Sequence, residues 1–500
     1  MRQLHRGPSS ARRSKQGSRK QPSSALLERI GEALGSDRGR FVAFCAFLSI
    51  VALTGGGSRP DIQSLVILRP VAVCALFYGL WFMRNGDLRG AKVPLAVILG
   101  LMVIAICQLI PLPWSVWTEL PKRSAIAEID TLLGMAGVWR PLSLDPARTW
   151  NTLFALLVPL AAIVLFCIQS GRYVRMSLLA LVALALASAA VGYLQAIGIK
   201  ALHFYAITHD HHPVGLFSNK NHQAVLLVWL LMTVAWLATI IDPASRKAKA
   251  HAAAVLATLF VIFPLILLSG SRAGLLMSFP ALMISLWFLS RSKVYQFSAA
   301  KKVNTKRVRV AFILIALIIL LAGVFSVLAL SDRQAALSRL FASDPADEMR
   351  WIFLPLLWEM TGDFFVLGTG FGAFAATFHM YESTETLGPG YLNQAHLDPL
   401  QLIIEGGIPA LILAAWGLVW LVWKIFALWM SGKRPHRDLA VYLASAIGVW
   451  FAASLIDYPL RAPIISVVFA ILTAHLGISS VRAGRDMMRQ PSESTRQRKQ

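Results

Sequence analysis

The sequence is poor in charge. Only 15% of its residues are Asp, Glu, Lys or Arg, against about 25% in ordinary soluble domains. Acids are scarcer still, 25 against 48 Lys plus Arg in 500 residues. So little charge cannot coat a water-soluble globule of this size, and it excludes an intrinsically disordered chain. The four cysteines, Cys45, Cys74, Cys107 and Cys167, all fall inside apolar runs. They form no disulfide or metal-binding pattern and read as small packing residues. Neither an internal repeat nor the inverted symmetry of many transporters is visible.

What is abundant is apolar sequence, 56% of the chain with a mean hydropathy of +0.61. Apolar runs fall near 41–57, 62–83, 93–110, 150–169, 175–197, 222–241, 252–269, 273–290, 310–330, 400–428, 439–456 and 463–481. A bilayer crossing needs about 20 such residues in a helix. Membrane barrel strands would alternate instead. The reading is an all-α polytopic membrane protein of about twelve transmembrane helices. The run 400–428 exceeds one crossing and is expected to tilt or to begin outside the bilayer.

Charge placement sets the orientation. With the N-terminus in the cytoplasm, the inside segments hold 35 of the 48 cations and 8 of the 25 acids. This positive-inside asymmetry predicts both termini in the cytoplasm. Five parts follow: a basic tail, 1–40, with a short amphipathic helix; helices one to nine, 41–330; a large periplasmic loop, 331–399; helices ten to twelve, 400–481; and a basic tail, 482–500. Arg12, Arg13, Lys15, Arg19 and Lys20 read as an orientation signal that can touch anionic lipid. No fold signature of nucleic-acid binding accompanies them. Leu26, Leu27, Ile30 and Leu34 share one helical face, suited to the inner leaflet.

Two outside loops are long. Pro111–Thr149 carries Pro111, Pro113, Trp114 and Trp117, an interfacial aromatic belt with a mostly structural role. In Ser331–Pro399, the apolar segment Met349–Met360 predicts short surface helices broken near Pro355. Gly368-Thr-Gly-Phe-Gly372 lacks the context of a phosphate loop and is expected to be a flexible turn.

The polar residues gather at the outer boundary. His396 and Asp398 stand at the mouth of helix ten, and Gln401 and Glu405 follow. Lys220 lies among Asn219 and Asn221 at the mouth of helix six. Arg272 is the whole charge of the hairpin Ser269–Gly274, Arg350 opens the amphipathic segment, and Arg461 ends Asp457-Tyr-Pro-Leu-Arg461. Each cation alone reads as a snorkelling anchor. Together they can line a pocket for an anion of two or more charges, such as a diphosphate.

These pieces resemble the O-antigen ligase and polysaccharide polymerase superfamily of bacterial inner-membrane glycosyltransferases. The matching elements are Gly215-x-Phe-x-Asn-x-Asn221, Ser271-Arg-Ala-Gly274, Arg350 with Trp358, Gly368-x-Gly-x-Gly-x-Phe374, Ala395-His-x-Asp-x-x-Gln401-x-x-x-Glu405-x-Gly407 and Asp457-Tyr-Pro-Leu-Arg461. Leu397 and Ala410 depart from the ligase pattern, which leaves ligase and polymerase both open. The resemblance implies transfer of a glycan from undecaprenyl pyrophosphate at the periplasmic face. The acceptor is a sugar hydroxyl on lipid A-core or on another lipid-linked glycan. It implies no metal, nucleotide or soluble cofactor, and partners limited to the donor, the acceptor and the bilayer. Histidine titrates near neutral pH and suits a general base. His396 is expected in that role, with Asp398 or Glu405 orienting its ring. Arg272, Arg350, Lys220 and Arg461 are expected to bind the diphosphate, with Asn219, Asn221 and Gln401 also in the pocket. The rival readings are a secondary transporter, which would place its ionisable groups near the midplane, and a non-catalytic envelope-assembly protein.

Overall fold

The computed structural model describes residues 22–295, 345–382, 384 and 392–488; for 22–27, 345–351 and 487–488 it describes the helical course alone. The described residues are mostly helical, with almost no strand. Its elements in order are α1 (Pro22–Gly35), α2 (Asp37–Thr54), α3 (Leu65–Trp81) and α4 (Lys92–Leu109). Next come β1 (Pro111–Leu112), α5 (Trp114–Trp117), α6 (Ser124–Leu132) and β2 (Arg140–Pro141). Then follow α7 (Pro146–Ala155), α8 (Leu157–Cys167), α9 (Arg172–Ala196), α10 (Lys220–Thr239), α11 (Ala248–Leu268) and α12 (Arg272–Arg291). The last are α13 (Pro345–Phe364), α14 (Phe374–Phe378), α15 (Asp398–Met430), α16 (Arg434–Ser454) and α17 (Pro463–Met488).

Eight helical stretches among the described residues are long and apolar enough to cross a membrane: α4, α7 with α8, α9, α10, α11, α12, α15 and α17. The chain is a multi-pass membrane protein. Apolar α3 is shorter, at 17 residues. With α2 and α16, whose first turns are charged, these helices account for eleven of the twelve apolar runs. The ninth run, 310–330, lies outside the described residues.

The bundle is built around α10, which is 89% buried across its apolar window. It is apolar all round, as a central helix must be. Trp236 stacks on Tyr442 of α16 at 4.4 Å between ring centroids, and Thr233 hydrogen-bonds the Tyr442 hydroxyl at 3.0 Å. By contrast, only 17% of the corresponding window of α15 is buried. Its Trp416, Val419, Val422, Trp423 and Phe426 point outward, where lipid covers them at no hydrophobic cost.

Contacts divide the loops between two ends of the bundle. At the basic end, Arg291 and Arg434 pair with Asp438, Lys433 with Asp486, and Arg40 donates to the Ile168 carbonyl. At the other end Tyr205 meets Gly56, Asn151 donates to Pro60, and Leu144 donates to Thr369.

Two elements differ from the sequence expectations. The segment around Pro355 is one continuous helix of 20 residues. Proline removes one backbone hydrogen bond, but Phe353, Leu357, Met360 and Phe364 are buried along one face and hold the helix together. The glycine-rich turn 368–372 is packed rather than loose. Thr369 and Gly370 donate to the carbonyls of Ile404 and Glu405, so the turn straps across α15. At Gly368 (φ +77°) a side chain would stand 2.3 Å from the Glu405 carbonyl oxygen.

The strap sits at a kink. Gly407 inside α15 has φ +61° and ψ −158°, which breaks the helix. It splits α15 into a first piece, 398–406, and a straight piece, 408–430. The second piece alone spans about 34 Å at 1.5 Å per residue, one full crossing. The excess length seen in the sequence therefore falls in a separate short helix before the kink. This short helix packs with α13 and α14 in a small second core of Phe353, Leu357, Phe374, Phe378, Leu400 and Ile404. That core carries the site.

Candidate functional site

His396 occupies the turn that enters α15. Its φ is +51°, a left-handed conformation that costs a non-glycine residue about 1–3 kcal/mol. The turn is over-determined by its neighbours. The side-chain oxygen of Gln401 accepts the Ala395 N–H at 2.9 Å, and the Leu397 carbonyl accepts those of Leu400 and Gln401 at 3.1 and 3.0 Å. Ala395 and Leu392 are buried in the second core beneath. The strain thus presents one particular side chain, at 17% exposure.

The His396 ring meets Asp457. Nδ1 lies 3.3 Å from Oδ1, and the ring packs against Tyr458 at 4.8 Å. Asp457 stands beyond the end of α16 and is itself buried. Its Oδ1 also accepts the Tyr458 N–H at 2.9 Å. Its Oδ2 accepts the side-chain amides of Asn219 at 3.2 Å and Asn221 at 2.9 Å. Every acceptor direction of the carboxylate is taken. Burial alone would raise the Asp457 carboxyl. The His396 bond, the nearby His222 and the Asn221 amide outweigh it and hold the group well below the usual carboxylate range. A carboxylate can only accept, so the His396 proton belongs on Nδ1 and Nε2 is left as an acceptor.

Sequence reasoning gave the ring-orienting role to Asp398 or Glu405, and the structure gives those two acids another partner. Arg461 places Nε 3.4 Å from Asp398 Oδ1 and Nη2 3.3 Å from Glu405 Oε2. Ser454 donates to Asp398 at 3.1 Å, and Gln401 to Glu405 at 3.0 Å. Gln401 also bonds Gln394. Burial opposes the Arg461 charge, and Glu405 and Asp398 outweigh that and raise its pKa. Arg461 therefore faces two carboxylates at once. It clamps the first turns of α15 to the loop before α17.

The other cations are differently placed. Lys220 and Arg272 are the first residues of α10 and α12, neighbours that run in the same direction. Asn219 caps α10 and Ser271 caps α12. The Ser271 hydroxyl donates to Asn221 Oδ1 at 2.7 Å and ties the two helix starts together. Because Asn221 also bonds Asp457, the starts of α10 and α12 join the His396 cluster. Both helix dipoles present their positive ends there. Arg350 falls in α13, and its side chain lies outside the described residues.

Four contributors were missed by sequence reasoning. Asp457 and Tyr458 belong to the Asp457–Arg461 segment, in which only the arginine carries a signal in one dimension. Ser271 stood beside Arg272. Gln108, inside the apolar run 93–110, holds the strap: its amide donates to the Glu405 carbonyl at 2.8 Å and its oxygen accepts the Phe371 N–H at 2.9 Å.

Residues 257–415 match the family model for O-antigen ligase (Wzy_C). No curated protein matches the chain. The matched stretch contains Arg272, Arg350, His396, Asp398, Gln401 and Glu405, and bears out the superfamily resemblance. Asn219, Lys220, Asn221, Asp457 and Arg461 lie outside it and reach the site through the fold.

Proposed function

We propose that the protein transfers a glycan from undecaprenyl pyrophosphate to an acceptor sugar hydroxyl at the periplasmic face of the bacterial inner membrane. An O-antigen ligase domain in a multi-pass membrane protein points to glycan transfer in polysaccharide assembly. The observation that carries the finer reading is the His396–Asp457 pair on a strained turn. His396 Nε2 takes the proton of the acceptor hydroxyl as its oxygen attacks the anomeric carbon of the donor sugar. The bond from that carbon to the diphosphate breaks, and the lipid diphosphate leaves with an added negative charge. Such a leaving group needs no general acid. It needs positive charge in place, which Lys220, Arg272 and Arg350 supply with the ends of α10 and α12. Asp457 fixes the His396 tautomer and steadies the imidazolium that forms.

The test is His396→Ala in a deletion strain, read as surface polysaccharide on a gel. Loss of a general base lowers transfer by about 10²–10⁴-fold, so polymer should vanish at normal protein level. Normal polymer would remove His396 from the reaction.

A further inference from the structure

We infer that the excursion between β1 and β2, residues 113–139, lies among the lipids of the leaflet nearest His396 and anchors α13 to that surface. The two strands pair antiparallel, Pro111 with Pro141 and Leu112 with Arg140, and close the excursion at its base. Its polarity is partly inverted relative to a loop in water, although Glu119 and Glu128 remain exposed. Three polar side chains at its base and tip turn inward: Asp130 pairs with Arg140, buried Arg123 donates to the Leu142 carbonyl at 2.7 Å, and Trp117 donates to Pro141 at 3.0 Å. Both guanidiniums lie against the Trp117 ring, at 5.3 and 5.7 Å. The apolar groups turn outward. Leu132 is 87% exposed, Leu133 67% and Trp139 61%, with Ile129, Met135 and Val138 beside them. Soluble surfaces rarely collect such a patch without a partner.

The occupant follows from what the patch continues. Leu99, Val103, Ile106 and Ile110 form an exposed stripe up α4, spaced as one helical face. That stripe faces lipid in a membrane-crossing helix and runs directly into β1. On the returning side, Trp150 and Phe154 of α7 are exposed and stacked at 5.8 Å. The excursion therefore springs from, and returns to, a lipid-facing wall. Aromatic residues at its base suit the headgroup level. Its inner edge grips the site. Lys122 (φ +58°) lies 3.8 Å from Glu359 and 3.4 Å from Asp363 of α13, and sits over the Tyr381 ring. The lipid anchor thus holds the helix that floors the His396 turn. This inference rests on the membrane embedding and stands or falls separately from the transfer reaction.

The test uses the full chain, with the four native cysteines replaced, in lipid nanodiscs. A nitroxide is attached at Leu132→Cys and, as a second position, Leu133→Cys. Val103→Cys serves as the lipid reference and the exposed His211→Cys as the aqueous one. Power saturation should show both tip labels accessible to oxygen and shielded from a soluble nickel complex, matching Val103→Cys. Nickel access equal to that at His211→Cys overturns the inference in favour of a water-exposed loop. Shielding from oxygen and nickel alike overturns it in favour of a covering protein.

Discussion

Asp457→Asn is the sharpest perturbation available, because it changes charge and hydrogen-bond polarity but not shape. The carboxylate accepts from four donors: His396, the Tyr458 N–H, Asn219 and Asn221. An amide has one accepting end and one donating end. If its oxygen faces His396, its NH2 opposes the NH2 groups of Asn219 and Asn221. Those cannot turn over freely, because Asn221 Oδ1 holds Ser271 and Asn219 Oδ1 caps α10. If its NH2 faces His396 instead, Nδ1 must accept and the proton moves to Nε2. The ring then has no lone pair for the acceptor hydroxyl. The expected loss is that of a general base, about 10²–10⁴-fold, or roughly 3–5 kcal/mol of barrier. The structural cost is one or two unmade buried bonds, about 1–3 kcal/mol each, so the protein should still accumulate. The assay is transfer in purified membranes at matched protein. The double variant with His396→Ala should be no slower than His396→Ala alone, since Asp457 acts through that ring. Transfer by Asp457→Asn at the wild-type rate would refute the tautomer argument.

Arg461→Met leaves Asp398 and Glu405 without their shared counter-charge, a loss of about 3–5 kcal/mol. It should appear as a lower melting temperature in detergent, and an unchanged melting temperature would show that Arg461 is no clamp. Gly407→Ala forces a left-handed φ on a residue whose new Cβ would lie 2.6 Å from the Val366 carbonyl oxygen. Membrane-inserted protein should drop sharply on a blot, and full recovery of wild-type levels would contradict the kink. Arg272→Lys and Arg350→Lys should each transfer poorly, because a point charge replaces a two-pronged donor; wild-type rates in both would make these residues interfacial anchors only. Cysteines at Ser343 and Ser298, in a cysteine-free background, should differ toward an impermeant thiol reagent. Ser343→Cys should label in intact spheroplasts and Ser298→Cys only after lysis, and the reverse pattern would put His396 on the wrong side for a flipped donor.

The helices were legible because lipid imposes a simple rule, an apolar run of crossing length, which survives without knowledge of neighbours. The same rule misjudged Pro355. A proline reads as a break in one dimension, and only the burial of Phe353, Leu357 and Met360 against α14 explains why the helix continues. The kink at Gly407 was half visible: the run 400–428 was too long, but nothing local said where it divides. His396 was legible as an ionisable residue at a helix mouth. Its partner was not, because Asp457 is 61 positions away and meets it only after α15 and α16 have folded back. No spacing rule joins them.

Arg461 shows most clearly why counting charges misleads. The sequence offers cations at the outer boundary and invites the sum of them as an anion site. A guanidinium that already meets carboxylates has a structural task as well. Arg461 meets two carboxylates, two turns apart on one face of the start of α15. Removing it into a diphosphate complex would strand Glu405, which is 2% exposed, beside the backbone strap that Gln108 and Gly370 make to that same residue. A ligand that drew Arg461 away from these acids would loosen the turn that presents His396. Lys220 and Arg272, which we propose hold the diphosphate with Arg350, begin helices that are joined to Asp457 through Asn221. In that arrangement binding charge and proton transfer share one scaffold, while Arg461 keeps the scaffold closed.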